Sequence, residues 1–355
     1  MITTLLSTAL VLGVLIFVHE LGHFLAARRL GVTVLTFSFG FGPRLAGLRR
    51  GRTDYRLSAV PLGGFVKMVG EDPDQEVPPE DLPGSFSHKS VWRRIVIVAA
   101  GPLANIVFAA VLFTGLYAVS GIPRLTTEIG AVNPGSPAEA AGLTKGDRVV
   151  AVDGKPVAVW DELSRAILEA GERGVTLTVR RGAETLTLSI RPEIREVKNI
   201  FGETYKRPIM GVTASGRNEI TRVNPLSAAW HGLRQTWDLA RLSVMTVVKL
   251  LQRVVPMETI GGPILIAQMA GRQAEEGFIH LLNFMGLISV NLAILNLLPI
   301  PILDGGHLFF FLIEAVRRKP VAMKTVVRAQ QVGMVLLAAL MVVVFYNDIV
   351  RLLRD

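Results

Sequence analysis

Four long apolar stretches limit what this chain can fold into. Each carries little or no charge and has about the 20 residues that an α-helix needs to cross the hydrocarbon core of a bilayer. They are Met1–Val18, Ile95–Ser120, Phe278–Leu303 and Gln330–Asn347. Half of the 355 residues are hydrophobic, which exceeds what one soluble core of this length requires. The sequence therefore predicts a polytopic α-helical membrane protein with about four transmembrane helices.

Basic residues flank these stretches and predict their orientation. The net charge is +9, but Lys and Arg do not form a stripe along one soluble domain, which argues against a nucleic-acid partner. They cluster between the first two stretches, as at Arg49–Arg56, and between the last two, as at Arg317–Lys319. Because cytoplasmic loops are enriched in Lys and Arg, both loops are predicted to be cytoplasmic. The Gly121–Arg272 connection and the termini are then expected on the outer side.

The end of the first stretch carries an H-E-x-x-H motif, His19-Glu20-Leu21-Gly22-His23. Residues i and i+4 share one face of a helix, so His19 and His23 can bind one Zn²⁺ while Glu20 acts as the general base. The chain has no cysteine, so a third protein ligand has to be His, Asp or Glu. Three ionisable residues in an apolar span also need a compensating partner such as a metal ion.

Two other functions can use the same residues. A transporter uses intramembrane ionisable residues as an ion or proton path, but it predicts inverted repeats with paired broken helices, and the two halves of this chain share no motifs. A catalytically silent membrane scaffold has no need for Glu20. Zinc-dependent hydrolysis is the interpretation that uses all three residues of the motif.

Three segments outside the spans have patterns of their own. Val32–Gly70 has the pattern of extended chain, since aromatic and small residues alternate over Phe37–Gly42 and Arg50-Gly51 marks a turn. It predicts a β-hairpin or meander, which either docks at the bilayer interface or is half-buried in a cytoplasmic domain. Leu226–Leu251 has apolar residues at spacings of three and four and predicts an amphipathic helix, lying in the outer interface or packed on the protein. Gly261–Ala270 is apolar but too short to span, and is either re-entrant or a buried turn.

A second set of motifs makes the chain resemble a known family. Asn296-Leu297-Leu298-Pro299-Ile300-Pro301-Ile302-Leu303-Asp304-Gly305-Gly306-His307 closes the third stretch, Gly101-Pro102-Leu103-Ala104-Asn105 lies in the second, and Gly40-Phe41-Gly42-Pro43 lies in the predicted hairpin. With the H-E-x-x-H motif, they resemble the site-2 protease family of intramembrane zinc metalloproteases (M50), most closely its bacterial RseP/RasP type. The resemblance extends from His19 to Asn347.

This resemblance implies a role for particular residues. His19, His23 and Asp304 would bind Zn²⁺, and Glu20 would be the catalytic residue. The residues that would bind or help to hold substrate are Asn296, Pro299, Pro301, Asn105, Gly40 and Gly42, although Asn105 is also open to a role in helix packing. The implied substrates are single-span membrane proteins such as anti-sigma factors or remnant signal peptides. The implied location is the bacterial inner membrane, with the zinc site toward the cytoplasmic side.

The insert after the second span resembles a PDZ domain. The resemblance is carried by Gly135-Ser136-Pro137-Ala138, Ala141-Gly142-Leu143 and Lys145-Gly146-Asp147. Such domains bind a peptide as an added strand, so a peptide ligand is expected, and an α+β insert without a ligand is the alternative. The insert has room for one such domain, whereas the best-known relative has two in tandem.

These inferences predict an order of domains along the chain. The amino-terminal domains are a first transmembrane helix with H-E-x-x-H at 1–27, a cytoplasmic or membrane-associated β-loop region at 28–94, a second transmembrane helix at 95–120 and a PDZ-like domain at 121–193. The domains that follow are an extended segment and amphipathic interfacial helix at 194–276, a third transmembrane helix leading into the Leu-Asp-Gly motif at 277–303, a cytoplasmic loop at 304–329 and a fourth transmembrane helix at 330–350.

Overall fold

Four helices have the length and composition to cross a membrane. The computed structural model describes residues 1–72 and 76–354, so residues 73–75 of the predicted β-loop region lie outside the described residues. The four helices are α1 (Ile2–Arg29), α2 (Val91–Ser120), α7 (Phe278–Asn296) and α9 (Met323–Arg354). At most 39% of the most apolar window of each is buried within the protein, so their apolar side chains are left for a non-aqueous surrounding. The number of apolar spans agrees with the prediction.

The third span ends earlier than its apolar run. α7 stops at Asn296 rather than Leu303, and Ile300 donates its backbone N–H to the carbonyl oxygen of Leu298 at 2.7 Å in a tight turn. Pro299 and Pro301 explain the difference, because a proline lacks the N–H that a helix needs and pushes the preceding residue out of the α region. A further helix, α8 (Asp304–Arg317), begins directly after this turn. A cytoplasmic loop was predicted there, so this prediction was wrong.

The predicted hairpin forms and folds back on itself. Strand β1 (Val34–Arg50) pairs with β2 (Thr53–Met68) in an antiparallel sheet, with a turn at Gly51, whose φ is +62°. Phe37 pairs with Val66 on one side and with Tyr55 on the other. The first half of β1 is therefore a central strand, and the last part of β2, Gly64–Met68, is an edge strand. Phe24 of α1 stacks on Phe37 with ring centroids 4.7 Å apart, which packs the sheet against α1.

Two more helices complete this part of the chain. α5 (Pro225–Leu251) confirms the predicted amphipathic helix, and its Trp230 and Trp237 are 64% and 69% exposed. α6 (Pro263–Glu276) occupies the segment expected to be re-entrant or a buried turn, and its Ala270 shares a buried cluster with Leu15 of α1. The amino-terminal end of α6 is capped by Asp348 of α9. The buried Asp348 carboxylate accepts backbone N–H groups from Gly262, Ile264 and Leu265 at 2.9, 3.0 and 3.2 Å.

The insert forms a compact unit of its own, Tyr117–Pro225 with Leu251–Val255. Its elements are β3 (Ile122–Leu125), β4 (Ile129–Val132), α3 (Pro137–Ala140), β5 (Arg148–Val152), β6 (Lys155–Pro156), α4 (Trp160–Ala170), β7 (Val175–Arg181), β8 (Glu184–Ile190), β9 (Glu193–Lys198), β10 (Thr204–Ile209), β11 (Val212–Ala214) and β12 (Asn218–Thr221). A four-stranded sheet has the order β6-β5-β7-β8, and Leu163 and Ile167 of α4 pack into its core. The α+β character agrees with the prediction.

This unit continues past the expected boundary at residue 193. β11 pairs with β4, and β12 pairs with β3, so the last strands close the unit by satisfying the backbone groups of the first. A backbone N–H or C=O left unpaired in a buried position is unfavourable, and short strands near the start of a domain gain their partners from its end. Pairs this distant in sequence leave no local pattern, which is why the boundary was placed too early.

Candidate active site

The H-E-x-x-H motif lies where α1 and α2 approach each other closely. A Cβ on Gly22 would lie 2.2 Å from the carbonyl oxygen of Ala100, and one on Gly101 would lie 2.3 Å from Nε2 of His23. Both distances are impossible for a real side chain, so only glycine permits the two backbones to come this near. The helical period places His19 and His23 on one face of α1, and that face is directed at α2.

Three side-chain atoms converge at this contact. Nε2 of His19 lies 3.2 Å from Nε2 of His23, and Oδ2 of Asp304 lies 3.0 Å from the first and 3.6 Å from the second. The two imidazoles are buried, and Oδ2 of Asp304 has no partner in hydrogen-bond geometry among the described residues. Two imidazole nitrogens and one carboxylate oxygen that converge in this way could hold a metal ion.

The spacing of these atoms fits a zinc ion. Nitrogen and oxygen ligands bind Zn²⁺ at about 2.0–2.1 Å in a tetrahedral arrangement, which puts neighbouring ligand atoms about 3.3 Å apart. The three observed separations of 3.0, 3.2 and 3.6 Å lie around this value. Two histidines and one aspartate leave one tetrahedral position open, as in catalytic rather than structural zinc sites.

Backbone geometry brings Asp304 to the histidines. Asp304 is the first residue of α8, and the turn before it folds tightly over the start of the helix. A Cβ on Gly305 would lie 2.2 Å from the carbonyl oxygen of Leu298, and one on Gly306 would lie 2.3 Å from that of Ile300. The glycine pair therefore allows the chain to reverse within a few residues. The positive end of the α8 dipole also stabilises the anionic form of Asp304.

Second-sphere contacts orient both imidazoles. Nδ1 of His23 lies 2.9 Å from the carbonyl oxygen of Ile97. Because that oxygen only accepts, Nδ1 carries the proton and Nε2 keeps its lone pair for a metal. Nδ1 of His19 lies 3.5 Å from the side-chain amide nitrogen of Asn105, whose Oδ1 is buried with no hydrogen-bond partner in the part of the chain that the structure describes. Rotating this amide by 180° exchanges its O and N. Oδ1 of Asn105 then accepts from Nδ1 of His19, so both atoms have a partner.

Glu20 faces the same cavity as the three candidate ligands. Its Oε2 accepts the backbone N–H of Val66 at 3.1 Å. The cavity has a volume of about 530 Å³, and its wall includes Phe65 and Val66 of the edge strand and His307 and Phe311 of α8. Burial lowers the pKa of His307, which favours its neutral form. The structure thus places Glu20, His19, His23 and Asp304 around one space.

The other predicted site residues lie elsewhere. Pro299 and Pro301 line a second cavity of about 630 Å³, formed with α9, and Asn296 is the last residue of α7. Gly40 and Gly42 lie in the bend of β1, with φ of +91° and +88°. Asn105 is fully buried behind His19. Among the described residues that form the wall of the active-site cavity, none of these six appears.

Several residues of the cavity wall were not among the predicted site residues. Arg94 of α2 forms an ion pair with Glu314 of α8, and its guanidinium carbon lies 4.8 Å above the ring of Phe311. Glu71 lines the same cavity and accepts the backbone N–H of Met68 at 2.9 Å. No local motif marks Arg94 or Glu71, because their position depends on how β2 and α8 fold toward α2.

Comparison with known proteins decides the family. The family model described as Peptidase family M50 matches residues 7–340. The chain belongs to peptidase family M50. This M50 peptidase is 35% identical to a relative from Rhizobium meliloti strain 1021 over 95% of this chain and 94% of the relative. It is 36% identical to one from Campylobacter jejuni, over 99% of this chain and 94% of the relative. Both relatives carry the description "putative zinc metalloprotease".

Membership of the M50 family confirms the resemblance that the motifs indicated and the prediction of a proteolytic enzyme. The predicted cofactor agrees with the descriptions of the relatives. A solved PDZ domain of an SdrC-like protein from Listeria monocytogenes also matches part of this M50 peptidase. The match covers 27% of this chain and 87% of the solved domain, at 20% identity and a TM-score of 0.20. This TM-score is too low to assign a fold to the insert.

Proposed function

We propose that this M50 peptidase is an intramembrane zinc endopeptidase that hydrolyses peptide bonds within or near the transmembrane segments of other membrane proteins. One observation carries the proposal: His19, His23 and Asp304 converge around one point at the end of an apolar helix, with Glu20 in the same cavity. Zn²⁺ is the cofactor, and the three converging residues would hold it. A silent scaffold would have no use for this arrangement.

The reaction divides among these groups. Bound Zn²⁺ supplies Lewis acidity, which polarises the scissile carbonyl and makes water more acidic. Glu20 takes a proton from the attacking water and returns it to the leaving amine. Ile97 and Asn105 hold the two imidazoles in orientation, which assigns Asn105 a positioning role rather than direct contact with substrate. Asn296, Pro299, Pro301, Gly40 and Gly42 then act farther along the substrate or in shaping the backbone around it.

A substrate helix has to unwind before it can be cut. A transmembrane helix satisfies its own backbone hydrogen bonds and shields its carbonyls, so an unwound segment needs new backbone partners. The edge strand Gly64–Met68 forms part of the cavity wall beside Glu20, and an extended peptide can pair with such an edge. Phe37–Phe39 cannot take this role, because each residue already has partners on both sides.

The location follows from the charge of the loops. The Arg- and Lys-rich connections after α1 and α8 favour the cytoplasmic side, which puts the zinc site toward the cytoplasm of the bacterial inner membrane and the insert on the outer side. The substrates that suit this arrangement are single-span proteins already shortened on the outer side. The insert would bind a peptide in the manner of a PDZ domain and so influence which substrates enter.

The experiment that tests the function compares three proteins in lipid vesicles with a single-span model substrate. Wild type should cleave it. Glu20→Gln should retain zinc and lose at least about 100-fold in rate, because an amide cannot accept the proton. Asp304→Ala should lose both zinc and cleavage. Zinc is measured by atomic absorption and cleavage by mass spectrometry. Full activity of either variant would contradict the proposal, and ion flux without cleavage would support the transporter instead.

A further inference from the structure

The exposed edge of the sheet beside the active site is already partly occupied. Residues Val66 and Met68 are two apart on the edge strand, so their backbone N–H groups point to the same side, away from β1. Each is taken by a carboxylate. Val66 donates to Glu20 at 3.1 Å, and Met68 donates to Glu71 at 2.9 Å. An incoming strand would need these two donors for its own carbonyl oxygens.

The position of Glu71 is built into the backbone. Directly after the edge strand, Val69 donates its N–H to Thr33 and accepts from Phe86, at 3.0 and 2.8 Å. Gly70 then has a φ of +67°, and a Cβ there would lie 2.0 Å from Oγ of Ser85. Only glycine turns the chain at this point. The turn directs Glu71 back along the strand to the amide of Met68, three residues earlier.

We propose that Glu71 is a specificity-determining residue that blocks the substrate-pairing edge until a substrate strand displaces its carboxylate from the amide of Met68. This inference rests on the proposed function and names how its site selects a substrate. A segment that pairs only weakly cannot displace a charge-assisted hydrogen bond, so it stays out of the cavity. A segment that pairs with both amides also accepts the backbone N–H of Val66 in place of Glu20, which frees the catalytic carboxylate.

Two variants separate the hydrogen bond from the charge. Glu71→Ala removes the acceptor. Glu71→Gln removes only the charge and retains an oxygen on a side chain of the same length. Exposed Glu76 in the same connection provides a control, because Glu76→Ala removes an equal charge from the same loop. The readouts are kcat and KM for a single-span substrate, zinc content, and the anisotropy of a labelled peptide of the cleaved segment bound to metal-free protein.

Glu71→Ala should lower KM by about three- to tenfold, the range expected when one competing hydrogen bond is removed, with kcat changed less than twofold. The peptide should bind metal-free Glu71→Ala more tightly by the same factor. Glu71→Gln should give a smaller fall in KM than Glu71→Ala, because its amide oxygen still accepts the N–H but a neutral hydrogen bond is weaker than a charge-assisted one, and Glu76→Ala should match wild type. If Glu71→Ala does not fold, Glu71→Asp, one methylene shorter, should show the same fall in KM. An unchanged or raised KM overturns the inference, as does an equal effect of Ala and Gln.

Failure of the proposed function gives a different result. If the wild type cleaves no membrane-span substrate, the proposed function falls, and this inference with it. If the wild type cleaves and the Glu71 variants leave KM and peptide binding unchanged, only the role of Glu71 is wrong.

Discussion

Gly101→Ala should remove zinc from this enzyme although residue 101 is not a ligand. The new methyl carbon would lie 2.3 Å from Nε2 of His23 and 2.9 Å from Nε2 of His19. Non-bonded heavy atoms need about 3.5 Å, so His23 would have to withdraw by about 1.2 Å. A zinc ligand tolerates a shift of about 0.2 Å. The substitution therefore displaces one of the three candidate ligands and intrudes on a second.

The expected magnitude is a rise of at least about 100-fold in the dissociation constant for zinc. Changing a residue that merely supports a ligand weakens metal binding by about 10- to 100-fold, and losing a ligand should exceed that range. A hundredfold change corresponds to about 2.7 kcal/mol of binding free energy. Cleavage should fall in parallel, because the metal site would be occupied only at high zinc concentrations.

Gly115 in the same helix provides the matched control. A Cβ there meets no atom of residues 1–72 and 76–354 within 4 Å, so Gly115→Ala should bind zinc as wild type does. Zinc affinity is measured by competition with a chromophoric chelator in purified, detergent-solubilised protein. Thermal unfolding of the metal-free proteins shows whether the fold is retained. Wild-type zinc affinity for a folded Gly101→Ala protein would refute the placement of His23 against α2.

Two further predictions concern the fold and the orientation. Asp348→Ala should lower the thermal unfolding temperature of the metal-free protein, because Asp348 caps α6 by accepting three backbone N–H groups. A lost helix cap costs about 1–2 kcal/mol of stability. An unchanged unfolding temperature would show that the cap contributes nothing. Single cysteines at exposed Ser87 and Ser189, in a chain without native cysteine, should react with an impermeant reagent from opposite faces of sealed vesicles. Reaction of both from one face would overturn the orientation.

Local patterns in the sequence predicted the paired histidines, the four spans and the hairpin. The H-E-x-x-H spacing needs only the helical period, so the convergence of His19 and His23 could be anticipated from five residues. The four spans follow from apolar length, and the hairpin from alternation with a turn at Gly51. Asp304 was assigned through family resemblance, because no physical rule links it to α1 across most of the chain.

What the sequence did not predict depends on contacts between distant segments. The sequence did not show which part of the hairpin forms its free edge, because β2 is long enough to flank the first half of β1 on both sides. Alternation shows that a segment is a strand, but it does not show whether the strand is central or at an edge. The close approach of α1 and α2 at Gly101 could not be predicted either, because a glycine in an apolar helix does not indicate which neighbouring helix packs against it.

The separation of the candidate ligands along the chain has a consequence for biosynthesis. The ribosome makes α1, with His19, Glu20 and His23, before α8, with Asp304. A nascent chain that has inserted α1 but not yet α8 holds the two imidazoles without Asp304. With the proposed metal site, such a chain would lack one of its three candidate ligands and would not cut neighbouring membrane proteins until α8 has been made.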